Sequence, residues 1–314
     1  MKFTFPILLL SLSRLFSGSL AVEVEGPPLE LTGEETYFIA PRWSPDGATL
    51  AVTGRNYRGI YLLSFPEGDV TPISEEPAAG LAIRWSPAGD RILSIVSRYE
   101  NRRRYNAVAV FDVNSGRKHL LTDFQTDPTG APSWSRDGKQ IFLAGSKDIL
   151  LFDSERKEKT TDPSSPSSET IVTSHKEEII IYELPEKRRM AFEAVKGGKL
   201  NLTVSPDGKS VAFEIMGGHL WVTGIDGKNA VDLGIGYRPS WSPGSDRITY
   251  MITSDDGHQY LSSDIYAVNA DGSGKVNITK TEKQLEMSPT WSPDGKWIAY
   301  HTLNEGKILV QEVR

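Results

Sequence analysis

The stretch "PRWSPDGATLAV", residues 41–52, recurs along the chain and decides the fold. In each copy a short segment ends in Trp, a turn of the type Ser-Pro-Asp-Gly follows, and a second apolar segment begins. The further copies are "IRWSPAGDRILSI" from 83, "PSWSRDGKQIFLA" from 132, "LTVSPDGKSVAFE" from 202, "PSWSPGSDRITYM" from 239 and "PTWSPDGKWIAYH" from 289. The residues that anchor the copies are Trp43, Trp85, Trp134, Val204, Trp241 and Trp291, spaced by 42, 49, 70, 37 and 50 residues.

The spacing of 70 residues is too long for one repeat, and a Ser- and Pro-rich segment lies inside it. This segment, "SSPSSETIVTS" at 164–174, places Ser165-Pro166 on the Ser-Pro of the motif and Ile171-Val172 on the apolar pair that follows. Ser164 then takes the place of Trp, and the gap divides into 30 and 40 residues. We therefore interpret the segment as a degenerate seventh repeat and not as a linker between domains.

Each repeat contains two more apolar segments after the motif, such as "IYLLSF" at 60 and "KHLLTD" at 118. Four antiparallel strands repeated about every 40 residues are typical of one propeller blade. The sequence thus predicts an all-β fold: a single seven-bladed β-propeller of four-stranded antiparallel blades over residues 22–314. A six-bladed ring is the alternative.

The Ser-Pro-Asp-Gly tetrapeptide suits a tight turn between the first two strands of a blade. Pro presets φ at the second turn position, Gly tolerates positive φ, and the Ser and Asp side chains can bond turn amides. Turn formation therefore accounts for Asp46, Asp137, Asp207 and Asp294 without catalysis. The Trp side chain offers a large apolar face for packing between blades, so we interpret the five tryptophans as structural anchors.

The last repeat ends at Arg314 directly after its third strand. Near the other end of the chain, "LELTG" at 29–33 resembles the fourth-strand endings "HLLTD" and "VNITK". The sequence predicts that "LELT" at 29–32 is the outermost strand of the blade begun by Trp291. Such closure would remove an exposed sheet edge, which is an aggregation hazard.

These repeats resemble the TolB-type propeller repeat, a WSPDG-bearing relative of the WD repeat that also occurs in the propellers of prolyl oligopeptidase-like and tricorn-type proteases. The resemblance covers essentially the whole chain after residue 28 and implies a β-propeller. It carries little information on function, because the motif residues make turns and packing contacts. The chain departs from TolB itself, which resembles a six-bladed propeller behind an N-terminal α/β domain, since seven repeats leave no room for that domain.

The first 21 residues have the pattern of a secretory signal peptide. Lys2 supplies the charged region, Phe3 to Leu12 the apolar region, and Ser19-Leu20-Ala21 a cleavage site, so we expect cleavage after Ala21 and a periplasmic or secreted protein. The apolar run is shorter than the roughly 20 residues of a transmembrane span. Loss of Lys2 and Arg14 would take the net charge from −6 to −8, which disfavours nucleic acid as a partner.

The sequence contains no motif for catalysis or cofactor binding. It has no cysteine, no Gly-x-Ser-x-Gly nucleophile elbow, no His-Glu-x-x-His and no phosphate-binding Gly loop. We therefore expect a monomeric, non-enzymatic interaction module at the cell envelope that needs no cofactor.

Two loops of the first two blades concentrate positive charge beside tyrosines: "TGRNYRG" at 53–59 and "SRYENRRRYN" at 97–106. Both connect second to third strands, so they should emerge on one face of the propeller. Arg beside Tyr suits recognition of carboxylates and stacking, which favours an envelope protein, a peptide or an anionic glycan as partner. The predicted partner-binding residues are Arg55, Tyr57, Arg58, Arg98, Tyr99, Arg102, Arg103, Arg104 and Tyr105, although a solvated loop explains the same charges.

Histidines and carboxylates in the corresponding links of later blades support an enzymatic alternative. His258, His301, Asp255 and Asp256 could hold a divalent metal, as in a metal-dependent polysaccharide lyase or hydrolase of the oligogalacturonate-lyase-like propeller type. Links on adjacent blades are expected to lie too far apart for one ion, and no His-x-His pair occurs. Metal analysis of the purified protein would separate the two functions.

Overall fold

The computed structural model describes residues 21–33, 35–126, 132–145, 147–155, 159–160, 169–186 and 188–314. The predicted signal peptide lies almost wholly outside these residues, as does the predicted fourth turn at 165–168. The described residues form β-strands and one short 3-10 helix, η1 (Arg55–Tyr57). No helix among them is long and apolar enough to cross a membrane.

The strands form seven separate antiparallel sheets in chain order, and these are the blades. Blade 1 consists of β2 (Ile39–Trp43), β3 (Thr49–Thr53), β4 (Ile60–Ser64) and β5 (Val70–Ser74). Blade 2 consists of β6 (Leu81–Trp85), β7 (Arg91–Glu100), β8 (Arg103–Asp112) and β9 (Lys118–Leu120). Blade 3 consists of β10 (Pro132–Trp134), β11 (Gln140–Ala144), β12 (Ile149–Asp153) and β13 (Lys159–Thr160).

In blade 4 the described residues provide three strands: β14 (Glu169–His175), β15 (Glu178–Leu184) and β16 (Arg188–Phe192). Blade 5 consists of β17 (Lys199–Val204), β18 (Ser210–Ile215), β19 (His219–Gly224) and β20 (Val231–Ile235). Blade 6 consists of β21 (Tyr237–Trp241), β22 (Arg247–Asp255), β23 (Tyr260–Asn269) and β24 (Val276–Asn277). Blade 7 consists of β25 (Glu286–Trp291), β26 (Trp297–Thr302), β27 (Ile308–Val313) and β1 (Val24–Glu30).

Burial of apolar side chains holds neighbouring blades together. Strands such as β11 and β15 are apolar on both faces because each blade packs between two others. The described residues form seven hydrophobic clusters, and every cluster joins two adjacent blades, including blades 7 and 1. The predicted all-β, seven-bladed ring is thus confirmed.

The ring is closed by β1, which pairs antiparallel with β27, as predicted. Leu29 lies opposite Val310, and Val24 lies opposite Val313, with a bulge between Glu25 and Leu29. The strand therefore begins five residues before the predicted "LELT". Beyond its end, the Leu31 amide donates to the Ile308 carbonyl at 2.9 Å, and the buried Thr32 Oγ1 accepts from the Ile308 amide at 2.9 Å.

The six Ser-Pro-Asp-Gly-type turns within the described residues share one hydrogen-bond pattern. In the first, Ser44 Oγ donates to Asp46 Oδ1 at 2.5 Å and accepts from the Thr49 amide at 3.0 Å. Blades 2 and 6 lack Asp at this position, and there an aspartate two residues later accepts the serine bond: Asp90 at 2.7 Å and Asp246 at 2.9 Å. The serine bond lowers the pKa of Asp46, which stays charged. The acidic residue is therefore part of the turn.

The tryptophan at the end of the first strand bonds the preceding blade. Trp85 Nε1 donates to the Arg42 carbonyl at 3.0 Å, and Trp43 Nε1 donates across the closure to the Thr290 carbonyl at 3.3 Å. Equivalent bonds join Trp134 to Arg84 at 3.2 Å and Trp241 to Thr203 at 3.1 Å. Each bonded indole thus fixes one blade against the next.

The first strands form the innermost layer of the ring, and in five blades a β-bulge interrupts the pairing of the first strand with the second. The residue three positions before the anchor has a positive φ of 49° to 60° in five blades, although none of the five is glycine. These residues are Ala40, Ala82, Asn201, Arg238 and Ser288. A left-handed conformation is costly for such residues, and its repetition at one position shows that the surrounding blades impose it.

Candidate functional site

The strand order decides which loops share a face. Because strands alternate in direction, the Ser-Pro-Asp-Gly turns that the structure describes lie on one face of the ring. The loops between second and third strands lie on the opposite face together with the links between blades. On this opposite face the β3–β4 loop and the long β7–β8 hairpin enclose a cavity of about 350 Å³, here called the blade 1–2 cleft. Its lining residues are Arg55, Asn56, Tyr57, Arg58, Pro77, Ala78, Leu81, Tyr99 and Arg104.

Backbone contacts fix the blade 1 side of this cleft. The Gly54 amide donates to the Arg58 carbonyl at 3.0 Å, and the Gly80 amide from the next blade link donates to the Tyr57 carbonyl at 3.0 Å. No residue with a side chain fits at position 80, because its Cβ would lie 1.9 Å from Thr53 Oγ1, far inside van der Waals contact. Close packing of the link against β3 therefore holds the β3–β4 loop in place.

The pairing of β7 with β8 decides which hairpin side chains reach the cleft. Tyr99 lies opposite Arg104, and residues directly opposite in an antiparallel pair project to the same side. Arg104 Nε donates to Ser97 Oγ and to Asn106 Oδ1, both at 2.9 Å, which orients its guanidinium group. Tyr99 is 65% exposed and presents its ring to solvent beside Arg104.

Arg98 lies opposite Tyr105, in the pair next to that of Tyr99 and Arg104. Because successive residues of a strand alternate sides, Arg98 and Tyr105 project to the other side of the hairpin. The Arg98 guanidinium lies 4.5 Å from the centre of the Phe124 ring, and its Nε lies 3.3 Å from Glu100 Oε1. Strand alternation thus places Arg98 and Tyr105 outside the cleft, on the other side of the same hairpin.

Arg102 and Arg103 lie at the tip of the same hairpin and are exposed. Asn101 and Arg102 have φ values of 48° and 63°, as in the two-residue turns that join twisted strands. The structure thus gathers Arg55, Tyr57, Arg58, Tyr99 and Arg104 in the cleft and leaves the two tip arginines outside it. The role of all nine residues in binding stays a prediction.

The four residues of the metal alternative lie in different surroundings. Asp255, Asp256 and His258 occupy the exposed tip of the β22–β23 hairpin, where Asp256 Oδ1 accepts from the His258 amide at 2.9 Å. His301 is buried in β26, and its Nδ1 accepts from the Ala40 amide at 3.3 Å. Among the residues that the structure describes, no three His, Asp or Glu side chains are arranged to hold a metal ion.

Burial lowers the pKa of His301 to about 3, and the nearby Arg238 and Arg42 contribute to this shift. The imidazole is therefore neutral and is bonded between blades 7 and 1, so its surroundings are those of a structural residue.

Sequence reasoning missed a second polar cavity, which lies at the centre of the ring. About 240 Å³ in volume, it is lined by first-strand residues that include Arg42, Arg84 and Arg238. A signal for these residues was present: in "PRW" and "IRW" an arginine directly precedes the anchor tryptophan, on the innermost strand of its blade.

No protein-family model matches the chain. A segment of 67 residues is 36% identical to the Tol-Pal system protein TolB of Blochmanniella pennsylvanica and covers 21% of this chain and 14% of that protein. A segment of 154 residues is 27% identical to the uncharacterized peptidase YuxL of Bacillus subtilis and covers 38% of this chain and 23% of that protein. The matched segments thus span less than a quarter of either relative's length.

Solved structures match nearly the whole chain, among them two with low sequence identity. The β-propeller domain of Cps50 (Swd1) from Myceliophteria thermophila gives a TM-score of 0.64 at 12% identity, over 92% of this chain and 100% of that one. U3-55K gives a TM-score of 0.66 at 10% identity, over 93% of this chain and 98% of that one. At these identities the likeness concerns the fold alone. The chain is therefore a seven-bladed β-propeller with a weak, partial similarity to TolB.

Proposed function

We propose that this protein is an exported, non-enzymatic binding module of the cell envelope, and that its partner presents an acidic peptide segment to the blade 1–2 cleft. The observation that carries this proposal is the composition of the cleft: three arginines and two tyrosines from two separate loops line one cavity in a protein of net charge −6. The weak similarity to TolB, a protein of the Tol-Pal system, supports a location in the envelope.

The cleft offers separate contacts for charge and for apolar surface. Arg104 is already oriented by Ser97 and Asn106 through Nε, so its terminal nitrogens can meet a carboxylate at little cost in side-chain entropy. Arg55 lies 3.9 Å from the centre of the Tyr37 ring, which holds a second guanidinium at the rim. Pro77, Ala78 and the exposed Tyr99 ring provide apolar contact between these charges.

Binding of a fluorescein-labelled glutamate-rich peptide, followed by fluorescence anisotropy, tests the proposal. Charge-assisted hydrogen bonds contribute roughly 1.5–3 kcal/mol each, so Arg104→Gln should weaken binding by roughly 10- to 150-fold. Arg103→Gln is the matched control, because Arg103 is one residue away and outside the cleft. It should change the affinity by less than about threefold.

The same variants should be compared in a pull-down from an envelope extract. A partner retained by the wild type and Arg103→Gln, but lost by Arg104→Gln, agrees with the proposal. Equal retention by Arg104→Gln and wild type, together with equal peptide affinity, would contradict it and leave the loops as solvated surface. Competition by an anionic polysaccharide but not by the peptide would point to a glycan partner instead.

A further inference from the structure

The lining of the cavity at the centre of the ring contains three arginines and no acidic residue. Arg42 and Arg84 occupy equivalent positions in β2 and β6, directly before the anchor tryptophans, and Arg238 enters from β21. The remaining lining residues are neutral, and Asn201, Ser240, Ser288 and Thr290 are among the polar ones. Within the described parts of the chain, none of the three arginines forms an ion pair with a carboxylate.

The three guanidinium groups are close enough to affect one another. Burial lowers the pKa of Arg42 to about 10, and repulsion from Arg84 and Arg238 adds to the shift. Burial also lowers the pKa of Arg84, although water reaches this side chain inside the cavity. Arg84 and Arg238 are exposed to water in the cavity, which screens their charges, but three like charges that converge on one cavity still repel one another, and a bound anion would relieve that repulsion.

Among the described residues, the one carboxyl bonded to the wall of this cavity, that of Glu214, can offset at most one of the three positive charges. Glu214 Oε1 accepts hydrogen bonds from the Arg238 amide and, at 2.8 Å, from Asn201 Nδ2. Burial raises the pKa of Glu214, whereas its hydrogen bonds to Arg238 and Asn201 and its attraction to the Arg238 charge oppose that rise. His301 is buried and neutral, so it contributes no negative charge.

The geometry of the arginines leaves donors for a ligand. Arg42 Nη1 donates to the Pro41 carbonyl and Arg84 Nη1 donates to the Ile83 carbonyl, both at 3.1 Å, so the two side chains are held in the same way. Each guanidinium has five N–H donors, and these bonds use one nitrogen of each. Arg238 has a φ of 57°, the left-handed conformation that recurs at this position of the first strand. Its side chain lines the cavity and brings the third positive charge.

The central cavity adjoins a wider one on the Ser-Pro-Asp-Gly face. That outer cavity, about 450 Å³ in volume, shares Arg42, Arg84 and Thr290 with the inner one. Its wall is made mainly of motif residues, the tryptophans and prolines of blades 1, 2, 5, 6 and 7. Because this face is opposite the β3–β4 and β7–β8 loops, a ligand can enter without passing the blade 1–2 cleft.

We propose that Arg42, Arg84 and Arg238 form a binding site for a small, multiply charged oxyanion, a carboxylate or phosphate compound, at the centre of the ring. A cavity of about 240 Å³ exceeds the needs of an inorganic ion and suits a small organic anion. Guanidinium groups bind carboxylate and phosphate oxygens in bidentate geometry, and the hydroxyls of the wall add donors. This site is independent of the partner surface proposed above.

Isothermal titration calorimetry with citrate and with pyrophosphate, at constant ionic strength, tests the site and distinguishes the two chemistries. The wild type should bind one equivalent of at least one probe. Arg84→Gln should weaken the affinity roughly tenfold or more, because it removes one bidentate cation. Arg103→Gln, at the exposed hairpin tip, should stay within about twofold of the wild type.

The melting temperature without added anion provides a second measurement. Arg84→Gln removes one of three repelling charges, so its melting temperature should equal or exceed that of the wild type at low salt, and the wild type should gain more stability than the variant from the same probe concentration. Absence of saturable binding by both probes would overturn the proposal. So would equal affinity in Arg84→Gln and wild type, or a lower melting temperature of Arg84→Gln before any anion is added.

Discussion

Leu31 offers the sharpest test of how the ring is closed. It follows β1, is 7% exposed, and packs in a cluster that contains residues of blade 7, such as Val310, and of blade 1, such as Leu50. Leu29 lies two residues earlier on the same segment and is 39% exposed. The two leucines therefore differ in burial while sharing the same backbone pairing with β27.

The expected cost of Leu31→Ala follows from this burial. Truncation of a buried leucine to alanine costs about 2–5 kcal/mol, and a position at the end of a strand, where neighbours can relax, belongs in the lower part of that range. We expect a loss of about 2–3 kcal/mol in the free energy of unfolding. Leu29→Ala removes less buried surface and should cost about 1 kcal/mol or less. The difference matters against a total stability of about 5–15 kcal/mol.

Urea unfolding, followed by the fluorescence of the seven tryptophans, measures both variants. The midpoint should fall further for Leu31→Ala than for Leu29→Ala, and the slope of the free energy against urea should be unchanged. If the two variants unfold at the same urea concentration, the segment after β1 does not contribute the buried contact on which the closure depends, and the reasoning is wrong.

Four further predictions concern the closure, the pH response and processing. Thr32→Val should cost about 1–3 kcal/mol in urea unfolding, because the buried Ile308 amide loses its acceptor; an unchanged midpoint would contradict this. Deletion of residues 22–33 should lower the melting temperature and promote association through the freed edge of β27, measurable by light scattering. The neutral His301 has a pKa of about 3 when folded, against about 6.5 when unfolded. The contribution of neutral His301 to the free energy of unfolding should therefore be complete above pH 6.5, and the free energy of unfolding should fall by up to about 1.4 kcal/mol per pH unit between pH 6.5 and 3. His301→Gln should make this dependence on pH less steep. An equal dependence in the variant and the wild type would show that His301 is not the titrating group. Mass spectrometry of the exported protein should find Val22 as the first residue, whereas an intact Met1 would argue against a cleaved signal.

The blades could be predicted from the sequence because each repeat contains a recognisable turn motif followed by apolar segments at regular spacing. The motif gives the turn and the anchor, and the spacing gives the number of strands. The two aspartates that replace the motif residue, Asp90 and Asp246, were not anticipated. A side chain two residues further on can reach the same serine, and a motif aligned position by position does not reveal this.

The candidate sites were less accessible to sequence reasoning. A run such as "RYENRRRY" shows the density of charge, but the pairing of Tyr99 with Arg104 decides which side of the hairpin each charge takes, and one residue of shift exchanges the sides. The central arginines are separated by up to 196 residues, from Arg42 to Arg238, and become neighbours through ring closure. Each blade alone gives no sign that its inner strand faces two other cations.

The indole bonds between blades also bear on how the ring fails. Each blade contacts two neighbours, so the ring behaves as a circular array of nearest-neighbour couplings in which no unit is a cap. Loss of any blade breaks two couplings at once, which favours all-or-none unfolding. The couplings are nevertheless unequal: Val204 has no indole to bond blade 4, and Trp291 Nε1 is buried without a partner in the described chain. Amide hydrogen exchange should therefore be faster at β17 than at β2 and β6, because the anchors of β2 and β6, Trp43 and Trp85, both donate to a neighbouring blade.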